Sequence, residues 1–145
     1  MKHLLSAALI ALAGIGTAQA RDTVVKVTLA DVLAMPEAQG KLDGSVKFYL
    51  AGQATPKVLN QLGSGVANKK TNGVGKDDEY GCKYVMLSAL LAFQQSAKQR
   101  GANAVVDLAS YYKKNEVRDA HTIECHAGNI MIGGALKGSY AKIGG

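Results

Sequence analysis

DDEYGCKYVMLSALLAFQQSAKQR, Asp77 to Arg100, is the stretch whose reading decides the fold. Cys82, Met86, Ala89, Leu90, Phe93 and Ala97 recur at steps of three and four and share one helical face, which Tyr84, Leu87 and Leu91 widen. Asp77, Asp78 and Glu79 stand where the helix dipole favours negative charge, and Lys98 and Arg100 where it favours positive charge. Gly101 is the expected stop. The spacing predicts one long amphipathic helix.

Outward from it the pattern changes period. ANAVVDLASYY (Ala102–Tyr112) leaves the helix as a strand, and KKNE (Lys113–Glu116) is a polar turn, since such residues between apolar runs add nothing to a core. HTIECHAGNIMIGGALKGSYAKI (His121–Ile143) reads as two or three strands, with glycines at Gly128, Gly133, Gly134 and Gly138. On the N-terminal side, Asp22 to Leu29 is a strand, and DVLAMPEAQG is a short helical turn or loop broken around Pro36 and Gly40. SVKFYLAG alternates Val46, Phe48 and Leu50 with polar or larger neighbours, the signature of a half-buried strand. Lys57 to Ala67 is a further strand, with Gly63 and Gly65 marking a bulge. The expected fold is α+β, the helix packed on a mainly antiparallel sheet in a single domain over residues 21–145.

MKHLLSAALIALAGIGTAQA, residues 1–20, has the layout of a secretory signal peptide: Lys2, an apolar run from Leu4 to Ile15, and Ala18-Gln19-Ala20 before Arg21. The run is shorter than the roughly 20 residues that span a bilayer. The expectation is therefore a periplasmic protein with no transmembrane segment in its mature chain.

Export changes how the two cysteines are read. Cys82 and Cys125 form an even pair in an oxidising compartment, which predicts a disulfide tying the start of the helix to the sheet. Closing the long loop between them contributes roughly 4 kcal/mol by the chain-entropy relation. The rival reading uses the flanking side chains. On a strand His121, Ile123 and Cys125 share one face while Thr122, Glu124 and His126 share the other. His121, Glu124 and His126 are thus an incomplete set of metal ligands, short of the four of a closed site. A thiol nucleophile needs an adjacent base and an unoxidised thiol; Cys82 stands near the helix N-terminus, where the dipole lowers a thiol's pKa, but its place on the apolar face argues for burial and against catalysis. No Gly-x-Ser-x-Gly elbow or His-Glu-x-x-His helix is present. GSGVANKKT (Gly63–Thr71) departs from a phosphate-binding loop at Asn68 and Lys70. The sequence offers no catalytic residue and calls for no cofactor.

The chain carries a formal net charge of +6. Lys69, Lys70 and Lys76, with Lys113, Lys114 and Arg118, form two basic clusters that become one anion-attracting patch if their loops share an end of the sheet. Tyr111 and Tyr112 are expected on opposite faces of their strand. The adjacent Gly133 and Gly134 permit close approach of another backbone, by a partner if the strand is an edge or by a bend over the helix if it is not.

KKTN (Lys69–Asn72), the helix with LSALLAFQ, GANAVVDLASYYKKNEV (Gly101–Val117) and ECHAGNIMIGGALKG (Glu124–Gly138) together resemble a family of small exported proteobacterial proteins often labelled excinuclease or excinuclease ATPase subunit. That label implies DNA-repair ATPase chemistry. The sequence departs from it in having a leader, no nucleotide-binding loop and no zinc-finger cysteine set, so no catalytic residue is carried over. The helix followed by GANAVVDL is similar, over that short passage, to the Rcs envelope-stress sensor lipoprotein and to small heavy-metal-binding-domain proteins, which implies an α+β fold and an envelope setting. The expected function is non-enzymatic: binding an envelope protein or anionic envelope component, not nucleic acid, through Lys69, Lys70, Lys113 and Lys114. Metal handling by His121, Glu124 and His126 is the alternative.

Overall fold

The computed structural model describes residues 21–144, and the leader expected over residues 1–20 lies outside them. The elements are β1 (Thr23–Thr28), α1 (Leu29–Leu33), a 3-10 turn (Pro36–Ala38), β2 (Lys47–Leu50), β3 (Val58–Asn72), α2 (Asp78–Gln99), β4 (Ala104–Ser110), a second 3-10 turn (Tyr112–Lys114), β5 (Thr122–Ala127) and β6 (Met131–Ile143). The fold is α+β, with α2 laid across one face of a six-stranded, mostly antiparallel sheet.

α2 begins and ends as its sequence dictates. The Asp77 carboxylate accepts the Tyr80 N–H at 3.1 Å, capping one of the amides that a helix start leaves unpaired. At the other end Gly101 takes a positive φ of 72°, and the N–H groups of Gly101 and Ala102 return to the carbonyls of Lys98 and Ala97. This is a Schellman closure, which glycine makes without steric cost. Cys82, Met86, Ala89, Leu90, Phe93 and Ala97 are all buried, as is Leu87, whereas Tyr84 is 38% exposed and does not extend the covered face. Buried Gln94 ties the preceding loop to the helix, accepting the Asp43 N–H and donating to the Lys41 carbonyl. Lys98 pairs with Asp43, and together with Ser45 holds that carboxyl well below its ordinary range.

β6 is the spine of the sheet. One edge carries β3 along almost its whole length, from Asn72 opposite Met131 to Val58 opposite Ile143. The other edge is shared end to end: β5 pairs at Gly133 and Ile132, and β4 pairs from Leu136 to Ala141. β1 then adds antiparallel to β5 and β2 parallel to β4, so the sheet forks. The glycine-rich strand is therefore central and has no open edge, which rules out pairing with a partner, the reading that held only if the strand lay at an edge. Its glycines serve alternation instead: Gly134 faces Met86 and Val85 of the helix, and Gly133 faces the opposite way, toward Tyr112.

Two irregularities aim side chains. Gly63, at φ 95°, sits in the register shift between Gln61 and Ser64 and leaves room for the Arg100 guanidinium, which donates to the Leu62 carbonyl and lies over the Tyr140 ring. In β4, Asp107 at φ 56° occupies a bulge between Val106 and Ala109, so Val105 and Leu108 both reach the main core. β3 also runs on to Asn72, so Lys69 and Lys70 belong to a strand and not to a turn.

Candidate functional site

The fork between β4 and β5 is where the backbone leaves its ladder. β5 pairs with β6 only at His126 and Ala127, so on the side away from β1 the Glu124 N–H meets no strand, and the buried Ser110 hydroxyl accepts it at 2.8 Å. The Tyr111 N–H continues the β6 ladder by donating to the Ala135 carbonyl, after which the chain turns over the face of the sheet away from α2. Tyr111 and Tyr112 have thus left the strand, which ends at Ser110, and their expected placement on alternate strand faces is corrected.

Tyr112 lies on that outer face as a platform. Its ring stacks on His126 with centroids 3.9 Å apart and planes 17° from parallel, and it covers the bare backbone of Gly133. His126 is held from the other side by Asp22, whose carboxylate lies 2.8 Å from Nδ1. A cleft of about 100 Å³ opens beside the stack, lined by Ser110, Tyr112, Asn115, Val117, Glu124 and His126.

The turn that carries Tyr112 is strained. Lys113 and Lys114 have φ of 51° and 64°, a left-handed conformation that non-glycine residues avoid at a cost of roughly 1–2 kcal/mol each. Lys113 Nζ lies 5.4 Å from the centre of the Tyr112 ring. Lys70 arrives from β3: it stands opposite Gly133, on the same face as Tyr112. Neighbouring cations are neutralised, Arg118 by a two-pronged contact with Asp107 and Lys137 by Glu116 at 3.6 Å. Lys70, Lys113 and Lys114 make no ion pair among the described residues: Lys113 lies against the aromatic platform, Lys114 follows it in the same turn, and Lys70 stands on the same face from β3.

The sequence-derived candidates divide in the fold. Cys82 and Cys125 form a disulfide, both residues fully buried, with Cα atoms 5.7 Å apart. Lys70 joins Lys113 and Lys114 on the outer face, but Lys69 stands opposite Gly134 and faces the helix side. Glu124 and His126 line the same cleft. His121 precedes β5 and lines a separate apolar cleft with Leu29, Phe48 and Tyr49, so the three do not converge. Among the described residues no group of three His, Cys, Asp or Glu is arranged to hold a metal ion. The Asp22–His126 pair was missed from sequence, where the outward aim of His126 was legible but nothing signalled its partner in β1's approach. Asp119, which caps the start of β5, is held below its ordinary carboxyl range by the N–H groups of His121 and Thr122.

The chain matches no protein-family model and no curated protein. Architecture and site define a class nonetheless: a disulfide-stapled α+β protein with one face of its sheet buried under a helix and the other carrying a cationic, aromatic turn. No helix among the described residues is long and apolar enough to cross a membrane.

Proposed function

We propose that this is an exported, non-enzymatic protein of the cell envelope that binds an anionic envelope component through Lys70, Lys113 and Lys114. The observation that carries the reading is the pair of adjacent left-handed lysines, braced by the Tyr112–His126 stack and free of ion pairs. Strain held at a turn whose ammonium groups make no ion pair, and only the Lys113 contact with the Tyr112 ring to offset it, points to a role outside the fold. The buried disulfide supports an oxidising compartment, and the leader-like residues 1–20 support export to it.

Retention on a dextran-sulfate column tests it. The triple variant Lys70→Ala/Lys113→Ala/Lys114→Ala is expected to elute at clearly lower salt than Lys41→Ala/Lys47→Ala/Lys57→Ala, which removes the same charge from exposed positions elsewhere. Equal elution of the two variants would show that only net charge matters and would sink the assignment of this face.

A further inference from the structure

Beyond the last strand pair, Asn72 opposite Met131, the loop between β3 and α2 meets the turn between β5 and β6. The Gly73 N–H donates to the Ile130 carbonyl at 2.6 Å, continuing the ladder by one step and holding the two turns side by side. Each turn is fixed internally as well: the Val74 N–H donates to Asn72 Oδ1 at 2.9 Å, and the Gly128 N–H to the Met131 carbonyl at 2.8 Å. On these braced turns stand Ile130, 66% exposed, and Val74, 63% exposed, the two most exposed large hydrophobic side chains of the described residues, with Met131 at 45%. A lone exposed apolar side chain needs no explanation. Three on two turns held side by side do.

Basic groups surround the tip. Lys76 is on the same loop as Val74, and its ammonium donates to the uncharged Thr71 hydroxyl, with no ion pair to a carboxylate among the described residues. Lys70 lies two residues before Asn72 in β3. Lys113 follows the Tyr112 ring, which covers Gly133, two residues after Met131 in β6. Arg21 donates to the Gly128 carbonyl and to Asn129, anchoring the β5–β6 turn. The acidic groups at this end are engaged within the fold: Asp78 by Arg21 at 2.6 Å, Glu79 by Lys83 at 3.5 Å, Asp22 by the His126 ring at 2.8 Å, and Asp77 by the start of α2.

We propose that this tip docks on an anionic lipid bilayer, with Val74, Ile130 and Met131 entering the boundary between headgroups and acyl chains and Lys70, Lys76 and Lys113 set against headgroup phosphates. The proposal rests on the reading that the basic face binds an anionic envelope component, and names that component as lipid. A protein partner wants a broad complementary surface of roughly 1,000 Å² or more, which two narrow turns do not present. A soluble acidic polymer would engage the lysines and leave the three apolar side chains in water. A bilayer interface takes both signals, each weak alone and effective together.

Co-sedimentation with vesicles tests it, using protein purified from the periplasmic fraction and vesicles of phosphatidylglycerol mixed with phosphatidylethanolamine, or of phosphatidylcholine alone. Binding is expected to the anionic vesicles only, and Val74→Ser/Ile130→Ser/Met131→Ser is expected to weaken it at least tenfold while leaving dextran-sulfate retention unchanged. The chain has no tryptophan. Ile130→Trp therefore supplies a single reporter whose emission shifts to the blue on binding. Bound protein with unshifted emission, or a serine variant that binds as tightly as the parent, overturns insertion. Retention on dextran sulfate without vesicle binding overturns the lipid proposal and leaves the anion-binding reading standing, whereas loss of both takes down the two together.

Discussion

β6 builds two unlike surfaces from one alternating strand. Its even-numbered residues, from Ile132 through Gly134, Leu136 and Gly138 to Tyr140, meet α2 and the disulfide in a core where almost nothing is exposed. Its odd-numbered residues run from exposed Met131 through Gly133 and Ala135 to Lys137, and are crossed by a strained turn, a stacked histidine and free lysines. The first face has the dense packing and satisfied polar groups of a protein interior. The second has backbone strain and unpaired charge, features that folding alone does not select. The contrast locates stability on one side of a sheet and the proposed binding on the other, separated by the thickness of a single strand.

The hardest test of that division is the disulfide, which belongs wholly to the covered face. Cys82 and Cys125 are 43 residues apart, and the chain-entropy relation gives roughly 4 kcal/mol for a loop of that size. Cys82→Ala/Cys125→Ala is expected to lower the unfolding free energy by about that amount in urea titrations, and added reductant is expected to have no effect on the variant. With the fold still populated, dextran-sulfate retention should stay at the parent value. A variant that remained stable but lost retention would break the separation of the faces.

The adjacent glycines sharpen the comparison at smaller cost. A Cβ on Gly134 would stand 2.5 Å from the Met86 methyl, 3.2 Å from Val85 and 3.5 Å from the Cys125 Cβ. The methionine end can swing aside, but the valine on the helix cannot, so Gly134→Ala is expected to destabilise by about 1–2 kcal/mol. On Gly133 the nearest atom is the Tyr112 ring at 3.4 Å, an ordinary contact with a turn that can shift. Gly133→Ala is expected to change stability by less than about 0.5 kcal/mol. Urea midpoints for the two variants check the ranking, and a reversed order would mean that the outer turn is the tighter of the two packings.

How much of this was legible in the sequence follows the same line. The covered face was readable because burial imposes period: the spacing of Cys82, Met86, Leu90 and Phe93 gave the helix, and Ile123 and Cys125 gave the inward side of β5. The outer face was readable only in part. Alternation sent Glu124 and His126 outward, but the fork that leaves the Glu124 amide to Ser110 depends on which strands share an edge of β6, and no local pattern encodes that. β3 runs five residues beyond the strand expected over Lys57 to Ala67, because its exposed edge lacks an apolar rhythm after Ala67, and its alternation there puts Lys69 and Lys70 on opposite faces. KKNE was read as a polar turn on composition. Composition is blind to backbone sign, and the left-handed pair came as new information.

That pair supports the smallest and most discriminating test. Lys113→Gly/Lys114→Gly removes a conformational penalty of roughly 1–2 kcal/mol per residue, while the added backbone entropy of the unfolded chain costs about 0.5–1 kcal/mol per glycine. The loss of the Lys113 contact with the Tyr112 ring subtracts about 0.5 kcal/mol more. The sum is centred about 1 kcal/mol above the parent, in a range from about 0.5 kcal/mol below it to about 2.5 kcal/mol above it, and is accompanied by earlier elution from dextran sulfate. Such a result places the lysines outside the interests of the fold, since the chain would be as stable without them. A drop in stability below that range instead would mean that their side chains hold the turn by contacts worth more than the strain, and the outer face would then be a second structural surface like the first.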